Sequence, residues 1–423
     1  MSVDKFNDMY YAYNDYILMG VFISNSLYYL LHNRDNNAIM STMIDRTIEK
    51  QITDKLGKGR AIIIYGPRRV GKTTLARKFL ASKPEEGLYL NCDELTTQEA
   101  LKPVSLAALE RVIGKARRIV IDEAQRVENI GLTIKLLVDA HPELDIIATG
   151  SSSFDLANKV KEPLTGRAYE FFLYPLSVAE LQQHFGYTNL QVATLYERLL
   201  RFGSYPGIVL EDEKQAGEDI AAIADKYVYK DSLELVELRQ RQLLPRLLQA
   251  LALQIGQEVS YNELATMFGV RLETIERYVT LLEQAFIVYR LSALTGNQRG
   301  ALSSRKRKVY FYDLGVRNAL LQSLQPLNLR ADIGGLWENF CMNERMKYWQ
   351  AQSESVQRYY WRAPISGGGE IDLVEAQHDT YTAYEFKWNK KTVAMPKYFY
   401  DVYHTSDLRV IHKDTLAEWL SES

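Results

Sequence analysis

Five short stretches of this chain are dominated by apolar residues: Ala61–Tyr65, Leu88–Asn91, Arg118–Asp122, Asp145–Thr149 and Tyr169–Leu173. Runs of this length read as buried strands, and continuous apolar character rather than alternation fits a parallel sheet covered on both faces. Between them lie segments with helical spacing, such as Leu75–Leu80 and the stretch from Leu101 to Gly114. Alternating strands and helices predict an α/β fold from Ile44 onward. Further along, Val259–Val270 predicts a short amphipathic helix ending at Gly269, Thr274–Leu282 a second helix, and Ala285–Arg290 a strand. That is helix–turn–helix order followed by a wing.

The turn after the first apolar run carries the chemistry. Gly66-Pro67-Arg68-Arg69-Val70-Gly71-Lys72-Thr73-Thr74 fits G-x-x-x-x-G-K-S/T, with a strand before it and a helix after it. The two glycines let successive N–H groups face one point at a helix N-terminus, where phosphate binds. Lys72 supplies charge for the β- and γ-phosphates, and the Thr73 hydroxyl is a Mg²⁺ ligand. Fifty residues on, the third apolar run ends in Asp122-Glu123. Asp122 is placed to hold the Mg²⁺ shell, and Glu123 to orient or deprotonate the attacking water. The fourth run ends in Gly150-Ser151-Ser152-Ser153. At that strand tip Ser151 either faces the γ-phosphate or caps the next helix. Arg167, just before the fifth run, is either a finger or sensor toward phosphate charge or a surface arginine.

Composition narrows the partners. Lys+Arg 51 against Asp+Glu 53 gives a net charge of −2, so no global basic field recruits nucleic acid. The second helix of the helix–turn–helix sets Arg271 and Arg277 against Glu273, Glu276 and Glu283, a balance that repels phosphate and favours packing or protein interaction. Arg305-Lys306-Arg307-Lys308 is the better nucleic-acid patch, with a charged loop as the plain alternative. Two distant cysteines, Cys92 and Cys341, predict a reducing, cytoplasmic setting without disulfides. The 28 tyrosines belong to no motif. Residues 1–42 are patterned differently from the rest, rich in Tyr, Asn and Asp. Their apolar stretch falls short of a membrane span and lacks signal-peptide flanks, so no membrane association is expected. Met40 and Met43, directly before the globular pattern, are candidate natural start sites.

A second constellation lies near the C-terminus. Gly367-Gly368-Gly369 leads into the strand Glu370–Val374, and Thr382–Lys387 reads as its partner. Alternation puts Glu370 with Asp372 on one face and Glu385 with Lys387 on one face. If the strands pair, Asp372 and Glu385 can hold Mg²⁺ or Mn²⁺ while Lys387 activates water for phosphodiester cleavage; an acidic exposed hairpin is the plain alternative.

Several motifs together resemble a large prokaryotic family of AAA-type predicted ATPases with an uncharacterised C-terminal domain. They are Gly150-Ser151-Ser152, Leu164-Thr165-Gly166-Arg167, Tyr174-Pro175-Leu176-Ser177 with Glu180, Gly203-Ser204-Tyr205-Pro206, Tyr227–Asp231 and Lys308–Gly315. The resemblance spans roughly residues 44–420. It implies an AAA-type core at 43–180, a helical lid at 181–240, a winged helix at 241–300, and at 301–423 a domain similar to restriction-endonuclease folds. The last resembles the D…E-x-K signature, with Glu338 as its helix-borne acidic member beside Asp372, Glu385 and Lys387. Two functions follow as expectations. One is an ATP- and Mg²⁺-dependent ATPase whose cycle controls an attached nuclease. The other is a nucleotide-dependent switch that recruits a protein partner or a second copy without cleaving nucleic acid.

Overall fold

A computed structural model describes residues 43–82, 84–102, 105–150, 164–225, 242–295, 307–364, 368–377, 380–389, 391–405 and 407–421. The chain parts between Leu173 and Tyr174 into two compact units.

The first unit is built on five strands: β1 (Ala61–Tyr65), β2 (Gly87–Asn91), β3 (Arg118–Asp122), β4 (Asp145–Gly150) and β5 (Ala168–Phe172). All pair in parallel, in the order β2-β3-β4-β1-β5. The apolar runs are buried as their continuity requires: Ile62, Ile63, Ile64, Ile119, Val120 and Ile121 are fully enclosed. Each such side chain contributes about 1.5–3 kcal/mol on burial. Helix α1 (Lys72–Ala81) follows β1 directly. Its C-terminal end is held by Arg118 at the start of β3, which donates to the Phe79 carbonyl at 2.8 Å and to Ser82 Oγ at 2.7 Å while pairing with Asp145 at 2.8 Å. A guanidinium there satisfies carbonyls that the last helical turn leaves open. The helix expected across 101–114 is replaced by α2 (Leu95–Leu101) and α3 (Leu106–Ile113). Pro103 is the reason in the sequence, because it brings no N–H to continue the helical ladder. Helix α4 (Ile130–Ala140) then leads to β4.

The second unit begins with helices α5 (Val178–Phe185), α6 (Asn189–Phe202) and α7 (Glu213–Ile223). The expected helix–glycine turn–helix is present as α8 (Tyr261–Phe268) and α9 (Leu272–Gln284), with Gly269 at φ 66° between them. A seven-stranded mixed sheet follows: β6 (Glu258–Val259), β7 (Val288–Ala293), β8 (Arg307–Phe311), β9 (Gln357–Arg362), β10 (Glu370–Gln377), β11 (Thr380–Phe386) and β12 (Leu408–Ile411). Its order is β12-β11-β10-β9-β7-β8-β6. The strands beside the helix–turn–helix and those of the C-terminal hairpin therefore share one sheet, joined where Ser292 and Ala293 pair with Tyr359 and Tyr360.

Helices α10 (Leu314–Leu320) and α11 (Ile333–Ala351) lie between β8 and β9 in the chain. Two motifs that carried the family resemblance prove to be its joints. The Asp313 side chain accepts from the Ser204 N–H at 2.7 Å and the Val316 N–H at 3.1 Å. A Cβ on Gly203 would lie 2.0 Å from the same carboxylate, so only glycine admits the contact. Some of the tyrosines are accounted for here too: the Tyr289 ring lies 5.6 Å from Tyr310 and 5.0 Å from Tyr312. No helix among the described residues is long and apolar enough to cross a membrane.

Candidate nucleotide site and the C-terminal acidic cluster

The loop from Gly66 to Gly71 needs backbone shapes that side chains resist. Gly66 adopts φ 150°, Gly71 φ 99° and Arg69 φ 64°. At Gly66 a Cβ would sit 2.3 Å from the Leu173 carbonyl oxygen, because the end of β5 continues alongside β1 through a Leu173 N–H bond to Tyr65. The loop then delivers Lys72 as the first residue of α1, nearly fully buried, donating to the Gly66 and Pro67 carbonyls at 2.8 and 2.7 Å. Burial pushes its ammonium down to about 8; Glu123 and Asp122 offset part of that, and Arg68 adds to it. This is a cation short of counter-charge, in a loop whose amides attract anions.

Thr73 points the other way, to Asp122 at the end of β3. Its hydroxyl lies 3.1 and 2.9 Å from the two carboxylate oxygens. The strand order makes this meeting, since β3 lies two places from β1 and carries Asp122 to the same sheet edge. Glu123 follows with φ 52°, so its backbone turns away from the strand. Its N–H donates to Thr149 Oγ1 at 3.2 Å, and its carboxylate accepts from Gln125 Nε2. Lys72, Thr73, Asp122 and Glu123 are thus gathered at one edge. The donor set fits Mg²⁺, with hydroxyl and carboxylate oxygens adjacent at the helix start.

Three contributors escape a sequence reading. Tyr89 on β2 donates to Asp122 Oδ2 at 2.6 Å, and accepts from Arg77 at 3.0 Å. Thr149 donates to Asp122 Oδ1. Arg46 Nη1 donates to the Val70 carbonyl at 2.8 Å, tying the segment before the first strand to the phosphate loop. Ser151, the hydroxyl expected at the tip of β4, lies outside the described residues. Arg167, expected as a finger or sensor or else a surface arginine, lies apart from the phosphate loop of its own chain. Its carbonyl accepts from the Ala61 N–H, so it sits beside the start of β1, about 15 Å of strand from the loop. There its guanidinium pairs with Asp139 at 2.6 Å and is 38% exposed.

In the second unit the structure does gather Glu338, Asp372, Glu385 and Lys387. Strands β10 and β11 pair antiparallel with Leu373 opposite Tyr384, which sets Asp372 and Glu385 one step further along the same ladder. A bulge between Ile371 and Val374, in the pairing with β9, re-aims this part of β10. Lys387 lies 2.5 Å from Glu385 Oε1 and 4.0 Å from Asp372 Oδ2. Asp372 Oδ2 also accepts from the Phe386 N–H at 2.9 Å.

The surprise is Lys308. Counted in the sequence with a surface basic run, it is instead 1% exposed and lies 2.8 Å from Glu338, 2.7 Å from Glu370 and 3.6 Å from Asp372. Burial and the neighbouring Asp372 push Glu338 up to about 8, against the pull of Lys308 and Tyr310. Glu385 is raised as well, by burial first and Asp372 second. The expected divalent-metal set does not fit this arrangement: ammonium groups already occupy the space between the carboxylates. Among the described residues no group of three or more His, Cys, Asp or Glu is disposed to hold a metal ion.

Residues 58–182 match the model of an AAA domain. Residues 193–327 and 333–418 match two domains of unknown function, DUF8612 and DUF4143. An uncharacterized protein of Mycobacterium tuberculosis is 29% identical over 331 residues, covering 75% of this chain and 68% of its own length. One from Methanocaldococcus jannaschii is 25% identical over 343 residues, covering 73% and 71%. Among solved structures, the Thermotoga maritima RuvB Holliday junction branch migration motor aligns at 17% identity over 57% of this chain and 88% of its own, with a TM-score of 0.31. Drosophila ORC bound to DNA aligns at 14% identity over 70% and 97%, with a TM-score of 0.23. The matched segment, the parallel sheet order and the phosphate loop agree: the first unit of this chain holds an AAA-type P-loop NTPase domain.

Proposed function

We propose that this chain is a Mg²⁺-dependent ATPase whose nucleotide state switches the binding behaviour of the second unit. The observation that carries the first half is the meeting of Thr73 with Asp122 beside a buried, under-compensated Lys72. Lys72 and the loop amides bind the phosphates, Thr73 and Asp122 hold the ion, and Glu123 orients or deprotonates water. Bound Mg²⁺ supplies charge neutralisation at the phosphates. Arg167 faces solvent away from its own site, so a role toward phosphate is open to it only in a second copy.

For the second half, the switch reading is favoured over an attached nuclease by Lys308, which compensates the carboxylates that cleavage would assign to a metal. The nuclease reading draws its support from the convergence of Asp372, Glu385 and Lys387. Turnover and calorimetry test the ATPase. Glu123→Gln should bind ATP yet lose about 10²–10⁴-fold in turnover, the range for general-base loss. A variant turning over at the parental rate would remove Glu123 from the mechanism. Incubation with plasmid DNA and Mg²⁺ or Mn²⁺, beside Asp372→Ala, tests the nuclease reading. Nicking that disappears in the variant would replace the switch.

A further inference from the structure

The acidic cluster of the second unit already has its cation, and that cation is a side chain. Alternation along β8 places Lys308 and Tyr310 on one face, and both reach Glu338 Oε1, at 2.8 and 2.6 Å. From β10, Glu370 Oε1 stands 2.7 Å and Asp372 Oδ1 3.6 Å from the same ammonium. A lysine head has three donor hydrogens and no acceptor, and here three carboxylates from two elements surround it. Its far side packs on the Tyr360 ring, 5.6 Å from the centroid. Lys387 covers the remaining edge, bonded to Glu385 Oε1. Glu385 Oε2 alone in the cluster is a buried oxygen without a hydrogen-bond partner.

We propose that Lys308 is the resident cation of this cluster, standing where Glu338 and Asp372 would otherwise share a divalent metal, so that the second unit is a metal-independent binding unit. The physical reason is exclusion. A divalent ion placed between Glu338 and Asp372 would lie within a few ångströms of a buried ammonium, and like charges at that range in a poorly screened interior repel strongly. A buried lysine on a strand cannot swing out to water without breaking the packing around it.

Access is not the obstacle. Glu370 lines a cavity of ≈ 640 Å³ together with Glu258, Glu263, Tyr261 and Arg362, and it is one-third exposed. A hydrated ion can therefore reach the rim of the cluster, where it meets Lys308. The inference is independent of the ATPase reading, since none of these residues belongs to the nucleotide site.

Mn²⁺ is the probe, followed by electron paramagnetic resonance and calorimetry on the full chain. Measurements are made without nucleotide, and every protein carries Asp122→Asn, which removes the carboxylate that would hold an ion at the nucleotide site. With Lys308 intact, no bound Mn²⁺ should be lost on adding Asp372→Asn. Lys308→Met should create a site for one Mn²⁺ per chain. That site should disappear with Asp372→Asn, and its occupation should raise the melting temperature of the Met variant. A Mn²⁺ equivalent that Asp372→Asn removes while Lys308 is present would overturn the proposal, and this comparison stands even if Lys308→Met fails to fold. A folded Lys308→Met protein that gains no Mn²⁺ would overturn it as well.

Discussion

Lys72 offers a titration whose outcome follows from its surroundings. Its ammonium is enclosed at the start of α1 with two carbonyls as partners, and burial lowers it from 10.5 to about 8. Bound phosphates would supply the missing counter-charge and hold the lysine protonated. The free protein must then take up a proton to bind ATP whenever Lys72 has lost one: about half a proton at pH 8 and about nine-tenths at pH 9. Terminal phosphates lose their last proton near pH 6, so the nucleotide itself adds little in this window. Affinity should fall about tenfold between pH 7 and pH 9. The folding sign runs the opposite way. A lysine lowered in the folded state costs stability while charged, so nucleotide-free protein gains stability as pH rises from about 8 toward 10.5. Calorimetry of ATP binding in buffers of different ionisation enthalpy reads the proton uptake directly. Lys72→Arg, which stays charged throughout, should remove the pH dependence. Parental protein with no proton uptake at pH 8 to 9 would show that Lys72 is not the under-compensated cation described here.

Tyr89→Phe removes one hydrogen bond to the Asp122 carboxylate, worth about 1.5–3 kcal/mol. The Mg²⁺ concentration for half-maximal turnover should rise about tenfold or more, while ATP affinity without Mg²⁺ stays constant; equal loss of both would make Tyr89 merely structural. Gly66→Ala sets a methyl 2.3 Å from the Leu173 carbonyl oxygen at φ 150°, and backbone cannot yield as a side chain does. ATP binding should be lost and the melting temperature lowered, and near-parental calorimetry would contradict the loop geometry. Arg167→Ala should leave ATP affinity unchanged in dilute protein, because the guanidinium is paired with Asp139 at the far strand edge. A weakened affinity there would place Arg167 back at its own nucleotide.

The phosphate loop was legible because its chemistry is local. Nine consecutive residues between a strand and a helix carry their own backbone geometry, and the glycines, Lys72 and Thr73 do their work within it. Asp122-Glu123 was legible as a polar ending to a buried run, and Asp372, Glu385 and Lys387 as alternating positions on two adjacent strands. What the sequence could not determine is which distant side chains arrive beside these. Tyr89 reaches Asp122 because β2 pairs with β3 with Asn91 opposite Asp122, and Thr149 arrives from β4 on the other side. Arg167 misses its own site because β5 runs parallel to β1, which leaves the residue before it at the sheet edge away from the loop. Lys308 looked like part of a solvated basic run, since charge density along a chain says nothing about burial. Strand order and register decided otherwise, setting its ammonium against Glu338, Glu370 and Asp372, where low exposure turns an ordinary lysine into the counter-ion of a buried acidic cluster.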